Sequence, residues 1–227
     1  MPLKLEQFHF YDPASETRRT RQNLPHWEQR GVSAFSTWRM ADSLPACIMQ
    51  GWLDERDAWL RKHGLDPDNE TWRDALEDLP GPTVREFHRT FTRRMHAMLD
   101  AGHGSCLLRR AELRRVVEDS LMHWQGERCL LAGWVIMPNH VHVLMQPMPG
   151  HGLLKLSRSI KQWTARHINA LTGERGEFWQ SEGWDHLLRR PAYLRAFRKY
   201  IRLNPVKPRL RADEYTLCLP EIEGLEE

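Results

Sequence analysis

Cysteine is scarce in this chain and never occurs as a close pair. The four cysteines are Cys47, Cys106, Cys129 and Cys218. No CxxC spacing joins any two of them. A zinc ribbon or a disulfide framework needs such pairs, so neither is expected and the thiols should be free.

Long apolar runs and nucleotide-binding loops are also lacking. No apolar run reaches the length of about 18 residues needed to cross a bilayer, and the first thirty residues do not resemble a signal peptide. We therefore expect no membrane contact and a cytoplasmic location. The chain contains no P-loop and no GxGxxG, so no nucleotide cofactor is expected. Internal repeats and low-complexity tracts are absent as well.

Charge is plentiful but unevenly distributed. The 227 residues carry a net charge of only +3. Residues 54–79 nevertheless contain nine acidic and four basic residues, whereas residues 151–211 contain fourteen basic and four acidic ones. The basic part suits contacts with phosphate, although a solvated basic face is an equally good interpretation of charge alone.

Periodicity predicts one domain with an insertion. We expect an irregular N-terminal arm at 1–30, a domain at 31–210 with an acidic insertion at about 54–82, and a C-terminal tail at 211–227. Strands are predicted at 33–40, 127–137 and 140–147, and helices at 43–60, 84–99, 110–123, 153–171 and 191–204.

Two histidines stand out in the stretch MPNHVHVLM, residues 137–145. On a strand, His140 and His142 share one face, while Val141 and Val143 lie on the other. Two buried imidazoles on one face need a shared hydrogen-bond acceptor or a cation. An apolar HxH by itself is more often structural than a pair of metal ligands.

The last predicted helix carries a second candidate pair. Tyr200 and Asn204 are four residues apart, so their side chains project from the same face of the helix. A phenol and an amide oxygen could therefore reach the histidines together. Core packing is the alternative for the tyrosine, because Tyr193, Phe197 and Ile201 form an apolar stripe beside it.

The stretch MPNHVHVLM, followed about sixty residues later by YIRLNPVKPRL, resembles the motif pair of the REP-associated tyrosine transposases. These are single-tyrosine members of the HUH nuclease superfamily. The resemblance also covers FHRTFTRRMHAMLDAGHGSCLLR, SRSIKQWTARHIN and GEFWQSEGWDHLLRRPAYLRAFRKYIRLNPVK. It extends over roughly residues 33–45 and 85–210. It departs from the usual pattern at Pro208, Arg209 and Gly183.

The resemblance implies a fold and a chemistry. The fold would be α+β, a ferredoxin-like (RRM-like) HUH palm with a central antiparallel sheet, helices on it and the acidic helical insertion. His140, His142 and Asn204 would bind a divalent metal, Mg²⁺ or Mn²⁺, and Tyr200 would be the nucleophile. Attack on single-stranded DNA at a REP-type hairpin would leave a 5′-phosphotyrosine, and the reverse reaction would join strands. The protein would be associated with the nucleoid.

Contacts with DNA are expected from the basic stretch. The candidates are Lys155, Arg158, Lys161, Trp179, Gln180 and Lys207. Tryptophans in a chain with ten of them mostly pack in cores, which is the alternative for Trp179. Asp185 could orient a ligand histidine or cap a turn. The acidic insertion would repel DNA and is expected to lie away from the bound strand.

Two other hypotheses compete with a nuclease. The protein could hold REP hairpins without cutting them, as an architectural factor. It could also be a metal-dependent hydrolase of a small phosphate ester, but such sites usually contain carboxylates and neither motif has one. We expect a monomer.

Overall fold

A computed structural model describes residues 2–21, 25–44, 46–69, 72–181 and 183–226. Its strands are β1 (Leu3–Lys4), β2 (Thr17–Arg21), β3 (Pro25–Gln29), β4 (Ala34–Arg39), β5 (Cys129–Ile136), β6 (His140–Pro147), β7 (Trp184–Leu187), β8 (Thr216–Cys218) and β9 (Ile222–Glu223). Its helices are α1 (Ala46–Lys62), α2 (Trp72–Glu77), α3 (Gly81–Phe87), α4 (Arg93–Asp100), α5 (Ala111–His123), α6 (Leu153–Thr172) and α7 (Pro191–Leu203). Within these described ranges, no helix is both long and apolar enough to span a bilayer.

Five strands of the described chain form one antiparallel sheet. Their order is β7-β4-β6-β5-β8. Helices α1 to α5 lie between β4 and β5 in the chain, with α5 packed on the sheet, and α6 lies between β6 and β7. Strands β4, β5, β6 and β7 therefore follow the β-α-β-β-α-β order of a ferredoxin-like fold, with β8 added at one edge. The predicted α+β class with a central antiparallel sheet is confirmed.

The sheet separates two apolar layers. All residues of β5 and β6 are buried, and their side chains alternate between the two faces. On one face, Val141 and Val143 pack against α5 and α6. On the other face, Leu144 packs with Phe35 and with Ile201 of α7. Strand β6 lies between β4 and β5 in the sheet. Every second side chain of β6 therefore faces α7.

Helices α1 to α3 and the residues that follow them up to Phe91 pack around an apolar cluster of their own. Its buried members are Leu60, Leu65, Trp72, Leu76, Phe87 and Phe91. The cluster therefore extends beyond the predicted insertion at 54–82 and includes α3. A π-helical turn at His88–Thr92 joins α3 to α4, so that the three segments form one helix with a π-helical turn in the middle.

The two terminal segments differ from expectation because both contain strands. Residues 1–30 were expected to be irregular, yet β2 and β3 pair in antiparallel register. The pair formed by β2 and β3 was not predicted because its residues are mostly polar and do not alternate with apolar ones. The segment at 211–227 was expected to be a tail. Instead β8 pairs with the edge of β5, and β9 pairs in parallel with β1.

Candidate active site

The two histidines lie side by side on the central strand. His140 and His142 occupy alternate positions of β6, on the face that packs against α7. Their ring centroids are 4.7 Å apart, and the two side chains are 1% and 0% exposed. Val141 between them points into the opposite layer and anchors the strand there. The shared face predicted from the HxH spacing is observed.

Asn139 orients the ring of His140. The side-chain amide nitrogen of Asn139 donates to the carbonyl of His103 at 3.0 Å, which directs the amide oxygen toward His140. That oxygen lies 2.7 Å from His140 Nδ1 and can only accept a hydrogen bond. Nδ1 therefore carries the hydrogen, and in the neutral ring the lone pair is on the buried Nε2.

Thr37 and Phe35 hold the ring of His142. Thr37 is opposite His142 in the register of β4 and β6, and its Oγ1 lies 2.8 Å from His142 Nδ1. Phe35 stacks on the imidazole with ring centroids 5.2 Å apart. Both neighbours come from β4, about a hundred residues away in sequence, so the HxH motif gives no sign of them.

Helix α7 brings Tyr200 to the same place. Pro191 starts the helix, and Leu194 and Ile201 bury its apolar face against the sheet. The hydroxyl of Tyr200 lies 3.3 Å from His142 Nε2. The phenol can therefore donate to Nε2 while Nδ1 donates to Thr37, which gives a consistent chain of hydrogen bonds.

A bulge in β5 fixes α7 on the sheet. The register of β5 against β6 shifts between Leu131 and Gly133. Arg198, which is 3% exposed, donates from Nη1 to the carbonyl of Ala132 within this bulge. Burial lowers the pKa of the Arg198 guanidinium. Because Arg198 is only two residues before Tyr200, this contact also helps to place the phenol.

Asn204 is the most deeply buried amide of the site. It follows α7 directly, is 0% exposed and lies one helical turn beyond Tyr200, on the same side of the helix. Neither Oδ1 nor Nδ2 has a hydrogen-bond partner among the residues that the structure describes. Burying both atoms in this way is costly, so the amide suits a ligand better than a structural role.

The donor set fits a divalent metal ion. Two imidazole nitrogens and one amide oxygen are available from His140, His142 and Asn204. Imidazole favours first-row transition ions, and an amide oxygen is also compatible with manganese. In the described part of the chain, no cluster of three or more His, Cys, Asp or Glu could hold a metal. A third protein ligand to such an ion would therefore have to be a side chain of another type, and Asn204 is the candidate.

Lys207 is the one predicted DNA contact that the structure places beside Tyr200. Its ammonium nitrogen lies 4.5 Å from the centroid of the Tyr200 ring. The contact follows from the turn after α7, which brings the chain back toward the end of the helix. A positive charge thus lies next to the phenol.

The other predicted DNA contacts lie on the opposite layer, around α6. Lys155 and Arg158 are exposed, whereas Lys161 donates to the carbonyls of Gln180 and Ser181 at 2.6 and 2.9 Å. Arg158, Lys161 and Gln180 line a common cavity of about 400 Å³. These residues are brought together, but across the sheet from the histidines.

Trp179 and Asp185 differ from their expected roles. Trp179 is 5% exposed and donates from Nε1 to Thr164 Oγ1 at 2.9 Å, so its ring belongs to the core and is closed to a DNA base. Asp185 lies on β7 and accepts a hydrogen bond from Ser36 at 2.5 Å. Ser36 alternates with Thr37 and faces the other layer, so this hydrogen bond lies across the sheet from His140 and His142.

Comparison with known proteins agrees with this geometry. The family described as Transposase IS200 like matches residues 110–202, which is less than half of the chain. The expected transposase resemblance is confirmed over these residues. The matched segment contains His140, His142 and Tyr200, whereas Asn204 and Lys207 lie just beyond it.

Two further comparisons complete the picture. No curated protein matches the sequence. A solved structure of a REP-associated tyrosine transposase bound to a REP hairpin is 14% identical, with a TM-score of 0.42. The match covers 82% of this chain and 74% of that one.

Proposed function

We propose that this protein cuts and rejoins single-stranded DNA through Tyr200, at REP-type hairpins. The observation that carries the proposal is the contact between the Tyr200 hydroxyl and His142 Nε2, on a buried face that also holds His140. The family match supports a transposase. The choice of a REP-type hairpin rests on the resemblance of the two motifs.

The reaction is a transesterification. The Tyr200 oxygen attacks the phosphorus of one phosphodiester, and the bond from phosphorus to the 3′ oxygen breaks. The phenol loses its proton, the leaving 3′ oxygen gains one, and the 5′ phosphate stays on the tyrosine. Attack by a 3′ hydroxyl reverses these steps and joins strands, so no nucleotide cofactor is needed.

Each residue of the site has a role in this proposal. His140, His142 and Asn204 would hold a divalent cation, with manganese or magnesium as candidates, and such an ion polarises a phosphoryl oxygen. Asn139 and Thr37 keep the two rings oriented. Lys207 places a positive charge beside Tyr200, where it can attract the phosphate.

Labelled hairpins test the nucleophile and the polarity together. The protein is incubated with single-stranded REP hairpins carrying a label at either end, with manganese or with EDTA, and resolved on a denaturing gel. We expect the 3′ label to move with the protein and the 5′ label to appear in a free fragment, only with manganese. Tyr200→Phe should abolish the adduct and leave hairpin binding intact.

Tyr215→Phe is the matched control, because it removes a hydroxyl from another half-buried tyrosine of the same apolar cluster. It should form the adduct at the normal rate. An adduct in Tyr200→Phe, or a 5′ label on the protein, would contradict the mechanism. Tight hairpin binding without any adduct, with manganese or with magnesium, would instead favour an architectural protein.

A further inference from the structure

A cleft opens between the helical insertion and the sheet edge at β7. It encloses about 160 Å³, which is roughly the volume of five water molecules in the liquid. Trp52 and Phe91 form its wall on the insertion side, and Trp184 and Tyr193 form the wall on the side of the sheet. We call it the aromatic cleft. Its flat side chains and its size suit a planar ring better than an ion.

Basic side chains surround these rings. Arg39, Arg56 and Arg189 line the aromatic cleft, whereas Asp185 is the only carboxylate among its described lining residues. The guanidinium carbon of Arg56 lies 5.4 Å from the centroid of the Trp52 ring. Arg39 belongs to β4 and Arg189 follows β7, so the excess of positive charge is on the sheet side of the cleft, where it complements a phosphate backbone.

Each acidic group of α1 has a partner, and one of these partners is the cleft-lining Arg56. Glu55 forms an ion pair with Arg94, and Asp57 with Arg56. Asp54 accepts a hydrogen bond from Gln50 at 2.8 Å. None of these three carboxylates lines the aromatic cleft. The insertion at 54–82 was expected to lie away from a bound strand, and three of its residues, Arg56, Trp72 and Leu76, line the aromatic cleft.

The aromatic cleft reaches the candidate active site directly. Thr37 lines the cleft and also contacts His142 Nδ1 at 2.8 Å. The Trp184 ring lies 6.0 Å from that of Phe35, which stacks on His142. A strand with its phosphate at Tyr200 could therefore place a neighbouring base in the cleft.

We infer that the aromatic cleft binds an unpaired base of the DNA strand, next to the phosphate that is cut. The inference rests on the proposed function for the identity of the strand. Aromatic rings stack on any base, and arginines add contacts to the phosphates on either side. The insertion would thus contribute to the choice of single-stranded over paired DNA.

Two tryptophans of α1 give a matched test. Trp52 lines the aromatic cleft, whereas Trp59, two turns further along, packs in the same apolar cluster without lining the cleft. Both are half-buried, and each donates one indole hydrogen bond, to Phe91 and to Glu86 respectively. Trp52→Leu and Trp59→Leu should therefore perturb the insertion to a similar extent. Trp52→Phe, unlike Trp52→Leu, keeps an aromatic ring at this position.

Binding is measured in EDTA by fluorescence anisotropy, so that no cleavage interferes. The probes are a labelled hairpin with a short single-stranded flank, the same hairpin without the flank, and one whose flank has sugars and phosphates but no bases. We expect Trp52→Leu to weaken binding of the flanked hairpin about tenfold, within the range of about 5- to 150-fold for losing one stacked base. Trp59→Leu and Trp52→Phe should bind like the wild type.

The outcomes separate this inference from the proposed function. If Trp52→Leu binds the flanked hairpin as tightly as the wild type, or if the flank without bases binds equally well, the base site is wrong even when the Tyr200 adduct forms. If the wild type forms no adduct but Trp52→Leu loses the flank-dependent affinity, the base site stands and the nuclease mechanism does not.

Discussion

At the scale of single residues, the candidate site depends on neighbours that turn each histidine ring. Asn139 fixes the hydrogen on Nδ1 of His140, and Thr37 faces Nδ1 of His142. Both contacts leave Nε2 directed toward α7, where Tyr200 and Asn204 follow each other by one turn. The ligand geometry is therefore built by β4 and the β5–β6 turn as much as by the histidines.

Asn204→Leu should separate stability from metal binding. Both amide atoms are buried without a hydrogen-bond partner among the described residues, and such burial costs about 1–3 kcal/mol. Leucine has a similar size and removes this cost. Thermal denaturation without metal should give an equal or higher Tm, whereas calorimetric titration with Mn²⁺ should show weaker binding.

Asn169→Leu is a suitable comparison for that experiment. Its amide donates to the carbonyl of Gly176 at 2.9 Å, so the leucine variant should lose stability. A decrease in Tm for Asn204→Leu as large as that for Asn169→Leu would mean that Asn204 serves the fold. Unchanged Mn²⁺ affinity would remove Asn204 from the ligand set.

The sequence alone could predict which residues share a face of a strand or a helix, because this follows from their spacing. The HxH alternation places His140 and His142 on one face, and the i, i+4 relation places Asn204 beside Tyr200. It could not reveal Thr37, because the contact is set by the register of β4 against β6. Nor could it tell that Trp179 is core and Trp52 lines a cleft, because both depend on tertiary packing.

At the scale of elements, a buried arginine ties α5 to the residues just before it and to the C-terminal segment. Arg114 is 4% exposed and donates to the carbonyls of Leu108 and Arg109, to Thr216 Oγ1 and to the carbonyl of Asp213. Burial lowers the pKa of its guanidinium. The planar fork satisfies four acceptors at once, which no single lysine ammonium can do.

Arg114→Lys should therefore destabilise the fold by about 2–4 kcal/mol, because carbonyls remain buried without donors. Urea denaturation followed by tryptophan fluorescence measures this loss. Arg115→Lys, on the adjacent exposed position, should change stability by less than about 0.5 kcal/mol. Equal effects of the two substitutions would contradict the proposed clamp.

Helices and strands could be predicted where one buried face produces a regular spacing of apolar residues in the sequence. Strands β4, β5 and β6 and helices α5, α6 and α7 lie within two residues of their predicted bounds. Strand β7 was missed, because it is a short edge strand within an aromatic segment. Strand β8 was missed because three residues are too few to show alternation.

At the scale of the whole molecule, the C-terminal segment completes both the sheet and the layer around α7. Strand β8 covers the edge of β5, and Leu217, Leu219 and Ile222 pack in the same cluster as Ile201. At Gly133 a side chain would meet Leu219 Cδ2 at 2.6 Å, so the segment fits closely against the bulge of β5.

Removing residues 211–227 should lower the Tm by roughly 10 °C and cause association, because an uncovered strand edge pairs with other chains. Calorimetry and size-exclusion chromatography with light scattering measure the two effects. A chain shortened only by residues 226–227 should behave like the wild type. An equally stable, monodisperse product of the longer truncation would show that β8 is dispensable.

The π-helical turn at His88–Thr92 sets how wide the aromatic cleft can be. Such a turn contains one residue more than an α-helical turn, so α4 leaves it rotated by about 100° from the path of an unbroken helix. In this orientation Met95 Sδ lies 3.8 Å from the guanidinium of Arg39. Deleting one residue from the turn would swing that face of α4 away from β4. The width of the aromatic cleft therefore depends on the number of residues in the π-helical turn, whichever side chains line the cleft.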